Sequence, residues 1–207
     1  MHLTEFVLAQ VPPVPSRILE VGCGRGDLAR ALAAAGHEVV AIDPEAPEGR
    51  LFRRVTLEDV AEPGPFDAVV ASRSLHHVAA LGDAVDKIAA LLRPRGAFIV
   101  NDFAKERLEG PTAEWYYEQR RALAAAGGKH APATFEDCLH REHADIHGYT
   151  DMRRELDRRF AEGSFVWVPY LHEELGDDVS EELERALIEA GAIQATGFRY
   201  VGETARR

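Results

Sequence analysis

The apolar residues in the first half of the chain follow two alternating patterns. Short runs rich in valine, isoleucine and phenylalanine predict five strands, with the sequences RILEV, EVVAID, LFRRVTL, FDAVVAS and AFIVND. Between them, GDLARALAAAGH and GDAVDKIAALLRPRG place apolar residues at helical spacing, and Pro94 and Gly96 are expected to end the second helix. Strands that alternate with helices predict a parallel sheet with crossover helices over residues 17–102.

The second half is less regular. Residues 103–148 predict two polar helices around the break AAAGGKHAPAT. The remaining pattern predicts, in order, the helix YTDMRRELDRRF, the strand SFVWVPY, the helix SEELERALIEAG and the strand GFRYVG. No stretch resembles a linker, so we expect one domain over residues 1–207. Within it, residues 103–148 form a helical insertion after the fifth strand, where the carboxyl ends of the strands need a cover.

The connection between the second and third strands is unusually short. Only the seven residues PEAPEGR join them, whereas a parallel crossover normally takes a dozen or more residues, including a helix. Seven extended residues span about 23 Å, which is enough to return along a five-residue strand of about 17 Å. We therefore expect the order of strands to be kept and the usual helix at this crossover to be lost.

Composition limits the classes of protein that the chain can represent. With 207 residues, 46% of them hydrophobic, it can bury one sizeable core. A formal net charge of −11 disfavours a nucleic acid as partner. The two cysteines form no Cys-x-x-Cys pair, the first residues do not resemble a signal peptide, and no apolar run reaches the length of a membrane span. We expect a cytoplasmic protein that contacts no membrane and is a monomer or homodimer.

Three glycines separate the first strand from the first helix, at Gly22, Gly24 and Gly26. A glycine-rich turn in this place lets backbone amides approach a ligand without an intervening Cβ. The dinucleotide pattern Gly-x-Gly-x-x-Gly requires a third glycine at position 27, where the chain has Asp27, and this disfavours a nicotinamide-dependent oxidoreductase. Asp43, at the end of the second strand, can accept hydrogen bonds from both ribose hydroxyls of a nucleoside.

Four segments in order resemble the motifs of the class I S-adenosylmethionine-dependent methyltransferases, namely ILEVGCGRGDLA, AIDP, FDAVVASRSLHHV and LLRPRGAFIV. The resemblance covers residues 15–102 well and the last 50 or so loosely. It implies an α/β, Rossmann-like fold with a seven-stranded, mostly parallel sheet of order 3-2-1-4-5-7-6 and helices on both faces. It also implies S-adenosyl-L-methionine as cofactor, S-adenosyl-L-homocysteine as product and a small-molecule acceptor.

The resemblance assigns the donor site residue by residue. The turn from Glu20 to Gly26 would surround the methionine and ribose portions, with Glu20 near the α-ammonium group. Of the acidic pair Glu58 and Asp59, we favour Glu58 as the residue that approaches the adenine amino group. The full set of expected cofactor-binding residues is Glu20, Gly22, Cys23, Gly24, Gly26, Asp43, Pro44, Glu58, Asp59, Ser72 and Arg73.

A general base is needed only if the acceptor is protonated at neutral pH. The candidates are His76, His77 and His147, and we expect one of the first two to be a packed histidine that supports the site. Expected acceptor-binding residues are Trp115, Tyr116, Arg120, His140 and His143. His140, His143 and His147 share one helix face, which is compatible with a polar surface, a substrate-facing lid or a metal site. We expect no metal, because three ligands on one helix would crowd a tetrahedral ion.

The sequence leaves two functions open. The first is methyl transfer to an oxygen, nitrogen or carbon atom of a small molecule by in-line displacement. Nucleic-acid bases are disfavoured as targets because the exit of the fourth strand, SRSLHHV, lacks the Asn/Asp-Pro-Pro-aromatic motif of base amino methylases. The second is a donor-binding protein without transferase activity, which acts as a sensor or partner subunit.

Overall fold

The computed structural model describes residues 2–127, 134–143, 145–176 and 179–204. Across these residues seven strands form one mixed sheet, surrounded by helices. The strands are β1 (Arg17–Val21), β2 (Glu38–Ile42), β3 (Phe52–Arg53), β4 (Phe66–Ser72), β5 (Leu92–Phe103), β6 (Phe160–Val168) and β7 (Gly197–Thr204). Their spatial order is β3-β2-β1-β4-β5-β7-β6, and β1 pairs in parallel with both β2 and β4. The predicted fold class and strand order are confirmed.

The helices follow the predicted helical stripes, with two additions. They are α1 (Leu3–Gln10), α2 (Asp27–Ala34), α3 (Leu81–Leu91), α4 (Gly110–Ala125), α5 (Phe135–His143), α6 (Tyr149–Arg159), α7 (Leu171–Leu175) and α8 (Glu181–Glu189). The sequence analysis did not predict α1 or the five-residue α7. Within the described ranges, no helix is both long and apolar enough to cross a membrane.

The short crossover behaves as the sequence predicts. Residues 43–51 contain no helix, and β3 pairs in parallel with β2. However, β3 has two residues rather than the seven of LFRRVTL. After Arg53 the chain bends, and the N–H of Val55 donates to Arg53 O at 3.0 Å rather than to a neighbouring strand. The predicted length of β3 is therefore wrong, because local bonding ends the ladder early.

The end of the second helix, predicted at Pro94 and Gly96, is also different. The helix α3 ends at Leu91, and β5 begins at the next residue. Phe66 of β4 pairs with Leu92, whereas Ala68 pairs with Ala97, so four residues of β5 oppose one residue of β4. Arg95, in this excursion, has a φ of 61°. The Pro-Arg-Gly sequence forms a bulge inside the strand rather than the end of a helix.

The chain divides into two compact units. The first contains the residues up to Asp102, Thr150–Phe165 and the chain from Arg199 onward, and the second contains Phe103–Tyr149 and Val166–Phe198. A core of the first unit forms around buried residues that include Ile18, Leu32, Val70 and Ile99. A core of the second unit forms around others that include Phe103, Tyr116, Tyr170 and Leu175. The expectation of a single domain stays a prediction.

A buried carboxylate organises the start of α7 in the second unit. Glu184 of α8 accepts hydrogen bonds from the N–H groups of Tyr170, Leu171 and His172, at 2.8–3.1 Å, and from His172 Nδ1 at 2.8 Å. Burial raises the pKa of Glu184, but the His172 ring and these N–H groups outweigh it, so its pKa lies below the ordinary value of 4.5. Burial lowers the pKa of His172, but the bond to Glu184 and nearby acidic charges raise it above 6.5 overall.

These directions predict how the pair contributes to stability as the pH changes. The lowered pKa of Glu184 gives stability above pH 4.5 that is lost as the pH falls through the folded-state pKa. The raised pKa of His172 gives stability below pH 6.5 that is lost as the pH rises through its folded-state pKa. Thermal unfolding of Glu184→Gln should therefore show its largest deficit between pH 4.5 and 6.5. Glu189→Gln, on the exposed end of α8, is the control, and a deficit that does not vary with pH would contradict the prediction.

Candidate functional site

A cleft of about 710 Å³ lies at the carboxyl ends of β1, β2 and β4, in the first unit. Its walls come from the glycine turn after β1, the residues after β2, the segment 55–58 that follows β3, the exit of β4 and Leu3 of α1. This is the place where open α/β sheets bind ligands, and its volume suits a ligand the size of a nucleoside.

The glycine turn is held in a conformation that requires glycine. Gly22, Gly24 and Gly26 have φ values of 73°, 49° and 80°. A Cβ on Gly22 would lie 2.3 Å from Ser74 Cβ, and one on Gly26 would lie 2.4 Å from the Phe52 ring. At Gly24, by contrast, no atom of the described residues other than its two chain neighbours lies within 4 Å of an added Cβ. Two glycines are therefore needed for packing, while Gly24 leaves open space beside the backbone.

Asp43 reaches the middle of this turn from the end of β2. Its Oδ2 accepts the N–H of Gly24 at 3.0 Å, and its Oδ1 accepts the N–H of Glu45 at 2.8 Å. The carboxylate is half-buried and lines the cleft beside Pro44. The structure thus brings together Gly24 and Asp43, whose proximity the donor-site prediction requires, and each carboxylate oxygen keeps acceptor capacity for a ligand hydroxyl.

Glu20 lies deeper in the same cleft and is only 3% exposed. The backbone N–H of Ala29, in the first turn of α2, acts on its carboxyl group and lowers its pKa, but by less than burial raises it. Its Oε2 atom is buried and has no hydrogen-bond partner among the described residues. Burial, together with the charges of Asp27 and Asp43, raises the pKa of Glu20 from 4.5 to about 8. A buried acid with a raised pKa and an unpartnered oxygen is more typical of a functional site than of a purely structural position.

In the segment after β3, Glu58 and Asp59, the two candidates for contact with the adenine amino group, have different surroundings. Glu58 lines the cleft, and its carbonyl oxygen accepts a hydrogen bond from Lys87 Nζ at 2.7 Å. Asp59 is bonded instead to Thr56, whose hydroxyl donates to Asp59 Oδ2 at 3.2 Å. The geometry therefore favours Glu58 over Asp59. Val55, Thr56 and Leu57 also line the cleft, and the sequence analysis missed them, although they directly precede the acidic pair.

The exit of β4 is fixed from the neighbouring strand β5. Asn101 O accepts the N–H of Arg73 at 2.8 Å, and Asn101 Nδ2 donates to Ser72 Oγ at 3.3 Å. Arg73 has a φ of 54°, which is uncommon for a residue with a side chain. Ser74 Oγ donates to Val21 O at 2.8 Å and so joins this exit to the end of β1. Ser72 and Arg73 line the cleft, and their role in binding the donor stays a prediction.

The two adjacent histidines after β4 have different surroundings. His76 is buried, and its Nδ1 atom is hydrogen-bonded to Oδ1 of Asp102, a fully buried residue at the end of β5. Asp102 Oδ2 also accepts the N–H of Leu75 at 3.0 Å. His77 is exposed and lines the cleft. The sequence analysis expected one packed histidine but missed Asp102, whose only signal is an acid at the end of an apolar strand.

The residues expected to bind the acceptor lie in the second unit. Tyr116 is fully buried in that unit's core, and its hydroxyl accepts a hydrogen bond from Arg120 Nη1 at 2.9 Å. Trp115 is half-buried against the same core. His147 is half-buried, and its neighbours are fixed because Ile146 O accepts from Lys105 Nζ and Tyr149 N–H donates to Glu106. The roles of Trp115, Tyr116 and Arg120 in acceptor binding and of His147 as a general base stay predictions.

The helix α5 carries His140 and His143, whose side chains lie outside the described part of the structure, and it ends at His143. His147 belongs to no helix, so the prediction that these three histidines share one helix face is wrong. Part of the predicted break between α4 and α5, residues 128–133, also lies outside it. Among the side chains that are described, no group of three histidines, cysteines or acids is arranged to hold a metal ion.

The strand order, the glycine turn and the acid at the end of β2 define a class of α/β proteins that bind a nucleoside at the carboxyl ends of parallel strands. Residues 1–162 match the family model described as a methyltransferase domain, and the chain therefore belongs to this family. The predicted class I S-adenosylmethionine-dependent family and its cofactor are confirmed.

Curated relatives match part of the chain. The ubiquinone biosynthesis O-methyltransferase of Xylella fastidiosa is 37% identical over 113 residues, which cover 47% of this chain and 46% of that protein. The aligned region thus spans about half the length of the curated relatives that the chain matches.

Solved structures resemble nearly the whole chain. A putative methyltransferase from an antibiotic biosynthesis pathway of Anabaena variabilis has a TM-score of 0.62 at 17% identity, with 98% of this chain and 96% of that chain covered. The 1,6-didemethyltoxoflavin-N1-methyltransferase of Burkholderia thailandensis, solved with S-adenosylhomocysteine, has a TM-score of 0.57 at 17% identity, with 98% and 75% covered. At these identities the likeness shows the fold alone.

Proposed function

We propose that this protein transfers a methyl group from S-adenosyl-L-methionine to a small-molecule acceptor. The observation that supports it best is the cleft, where the N–H of Gly24 is bonded to Asp43 and a buried oxygen of Glu20 has no partner among the described residues. Both fit a donor that carries ribose hydroxyls and an ammonium group.

Each wall of the cleft suits one part of the donor. Asp43 has the acceptor capacity to bind the ribose hydroxyls, and the open space beside Gly24 admits the ligand close to the backbone. Glu58 and the apolar side chains of Val55 and Leu57 suit the adenine. When bound, the donor supplies a methyl group on a positively charged sulfur, which is already an activated leaving group. The chain's own residues must orient the two reactants and exclude water.

We propose a hydroxyl-bearing acceptor as the first class to examine, because the curated relatives are O-methyltransferases. A hydroxyl needs a base to accept its proton in the transition state. His77 suits this task better than His76, since His77 lines the cleft whereas His76 is buried against Asp102. Three predictions from the sequence remain: the protein is cytoplasmic, it has no nucleic acid as partner, and it is a monomer or homodimer.

The alternative, a donor-binding protein without transfer, has one observation in its favour. The crossover from β2 to β3 contains no helix, so the adenine side of the cleft has a thinner wall. This feature bears on how tightly the donor is held rather than on the acceptor. A loss of transfer therefore does not follow from it.

An acceptor panel with radiolabelled donor tests the proposed function. The panel contains phenols, small amines, acidic carbon compounds, total RNA and protein extract, and the readout is label transfer with stoichiometric S-adenosyl-L-homocysteine. We expect transfer to at least one small molecule and none to RNA or protein. Transfer confined to RNA or protein would overturn the small-molecule acceptor. Donor binding without transfer to any of them would support the alternative.

Asp43→Asn is expected to weaken binding of S-adenosyl-L-homocysteine roughly 10- to 100-fold. The reason is that hydrogen bonds to a charged group are worth about 1.5–3 kcal/mol, and the amide keeps the shape while it loses the charge and half of the acceptor capacity. Isothermal titration calorimetry measures the change. Glu45→Gln, at an exposed acid two residues away, is the control, and equal affinities for wild type and Asp43→Asn would remove Asp43 from the donor site.

A further inference from the structure

The cleft has a thin wall on the side of the crossover between β2 and β3. Residues 43–51 contain no helix, and β3 has only two residues. A single aromatic ring packs against the glycine turn from this side, since a Cβ on Gly26 would lie 2.4 Å from Phe52. The first residues of the crossover after β2 include Pro44 and Glu45, and both are exposed. Single residues rather than a packed helix therefore border this side of the cleft.

The adenine of the proposed donor belongs on this side, because apolar side chains line the cleft there. In the proposed function Asp43 binds the ribose hydroxyls, and Val55 and Leu57 line the cleft in the segment after β3. Leu57 is buried and gives the flat ring an apolar surface. Glu58 is the last residue of this segment that lines the cleft, and it is exposed. The adenine edge that carries the amino group then meets an exposed acid rather than a buried one.

Glu58 is held in place through its backbone, because its carbonyl oxygen accepts a hydrogen bond from Lys87 Nζ at 2.7 Å. The next acid is engaged locally: Asp59 Oδ2 accepts the Thr56 hydroxyl at 3.2 Å, and the N–H of Asp59 donates to the same hydroxyl oxygen at 3.3 Å. An exposed carboxylate that loses a hydrogen bond to a ligand returns to water, whereas a buried one stays unsatisfied. Selection against a changed amino group is therefore weak at this edge.

We infer that the protein binds donors whose adenine amino group carries an alkyl or aryl substituent. A mono-substituted amine keeps one N–H for Glu58, and the substituent leaves the cleft over the exposed residues of the crossover. The inference rests on the proposed function, because it takes the adenine to lie between Leu57 and Glu58. It extends that function to a class of donors that a closed adenine pocket rejects, since added bulk in a packed site forces the neighbouring groups to move.

Calorimetric titration of the full chain with three probes tests the inference. The probes are S-adenosyl-L-homocysteine, its N6-benzyl derivative and its 2′-O-benzyl derivative, which puts the same group at the ribose, against the half-buried Asp43. We expect the N6-benzyl probe to bind no more than about tenfold more weakly than the parent compound. The 2′-O-benzyl probe should bind more than about tenfold more weakly, because it adds bulk in the enclosed part of the cleft and removes a donor to Asp43.

The outcomes separate the inference from the proposed function. Binding of the N6-benzyl probe that is more than about tenfold weaker than that of the parent compound would overturn the inference, because the adenine edge would then be enclosed. Binding of the 2′-O-benzyl probe within tenfold of the parent would also overturn it, since the ribose would then not lie against Asp43. Absence of binding by the parent compound would instead defeat the proposed function itself.

Glu58→Ala tests which part of the amino group the protein reads. The variant should weaken the parent compound and the N6-benzyl probe by a similar factor, up to about tenfold, because both present one N–H to the exposed acid. Glu48→Ala, at another exposed acid of the crossover, is the control and should leave both affinities unchanged. A loss confined to the parent compound would overturn the inference, because Glu58 would then select the unsubstituted amine.

Discussion

Gly22→Ala is expected to weaken binding of S-adenosyl-L-homocysteine about 100-fold or more. The substitution puts a side chain on a residue with a φ of 73°, and its Cβ would lie 2.3 Å from Ser74 Cβ and 2.9 Å from Ser74 Oγ. Positive φ costs about 1–2 kcal/mol and overpacking about 1–3 kcal/mol, and each 1.4 kcal/mol is a factor of about ten in affinity. The clash with Ser74 can be relieved only if the glycine turn or the exit of β4 shifts. Both line the cleft, so the shift displaces residues that face the ligand.

Two further variants separate the clash from the backbone strain. Gly191→Ala is the matched control, because Gly191 has a φ of 70° but an added Cβ would have no atom within 4 Å in the described part of the chain, its two chain neighbours aside. It should lower the melting temperature slightly and leave ligand affinity unchanged. Adding Ser74→Gly to Gly22→Ala removes the atoms that clash and should restore much of the affinity. Wild-type affinity in Gly22→Ala would show that the turn does not position the ligand.

Asp102→Ala is expected to lower the free energy of unfolding by about 3 kcal/mol or more. The carboxylate is fully buried, and it bonds to the ring of His76 and to the N–H groups of Leu75 and His76. Its removal leaves these donors buried without a partner, and each buried donor that is left unsatisfied costs about 1–3 kcal/mol. Urea unfolding followed by circular dichroism measures the loss.

The isosteric variant Asp102→Asn keeps one oxygen to accept the two N–H groups and offers an amide to the imidazole. Its loss should be less than half of the loss in Asp102→Ala. Glu48→Ala, at an exposed loop acid, should stay within about 0.5 kcal/mol of wild type. A loss below about 1 kcal/mol in Asp102→Ala, the lower end for an unsatisfied buried group, would show that the turn at Leu75–His77 does not depend on this residue.

Much of the fold could be predicted because hydrophobic periodicity reflects which face of each element is buried. This periodicity predicts the crossover helices α2 and α3, and together with the family resemblance it predicts the strand order. The bulge in β5 could not be predicted, because Phe66 and Leu92 come into register only when β4 and β5 pair. The length of β3 was also missed, since it is set by a local bond from Val55 to Arg53 rather than by residue type.

In the candidate site too, residues that are close in sequence could be predicted, whereas residues that act across the sheet could not. Residues within one strand-turn-helix unit, such as Gly22 and Gly24, are visible in sequence because their spacing is local. Asn101 and Asp102 were missed because they act on residues 26–29 positions away through the pairing of Ser72 with Asn101. The burial of Tyr116 was missed for a related reason, since α4 is polar overall and only packing in the second unit's core shows which of its rings is enclosed.

A crystal structure of the protein with S-adenosyl-L-homocysteine tests the central claim most directly. We expect the nucleoside in the cleft, with the ribose hydroxyls at hydrogen-bond distance, about 2.5–3.0 Å, from the Asp43 carboxylate and the ligand's ammonium group against Glu20. The claim would be contradicted by a cleft that stays empty at a saturating concentration of the ligand. It would equally be contradicted by a nucleoside bound away from both Gly24 and Asp43.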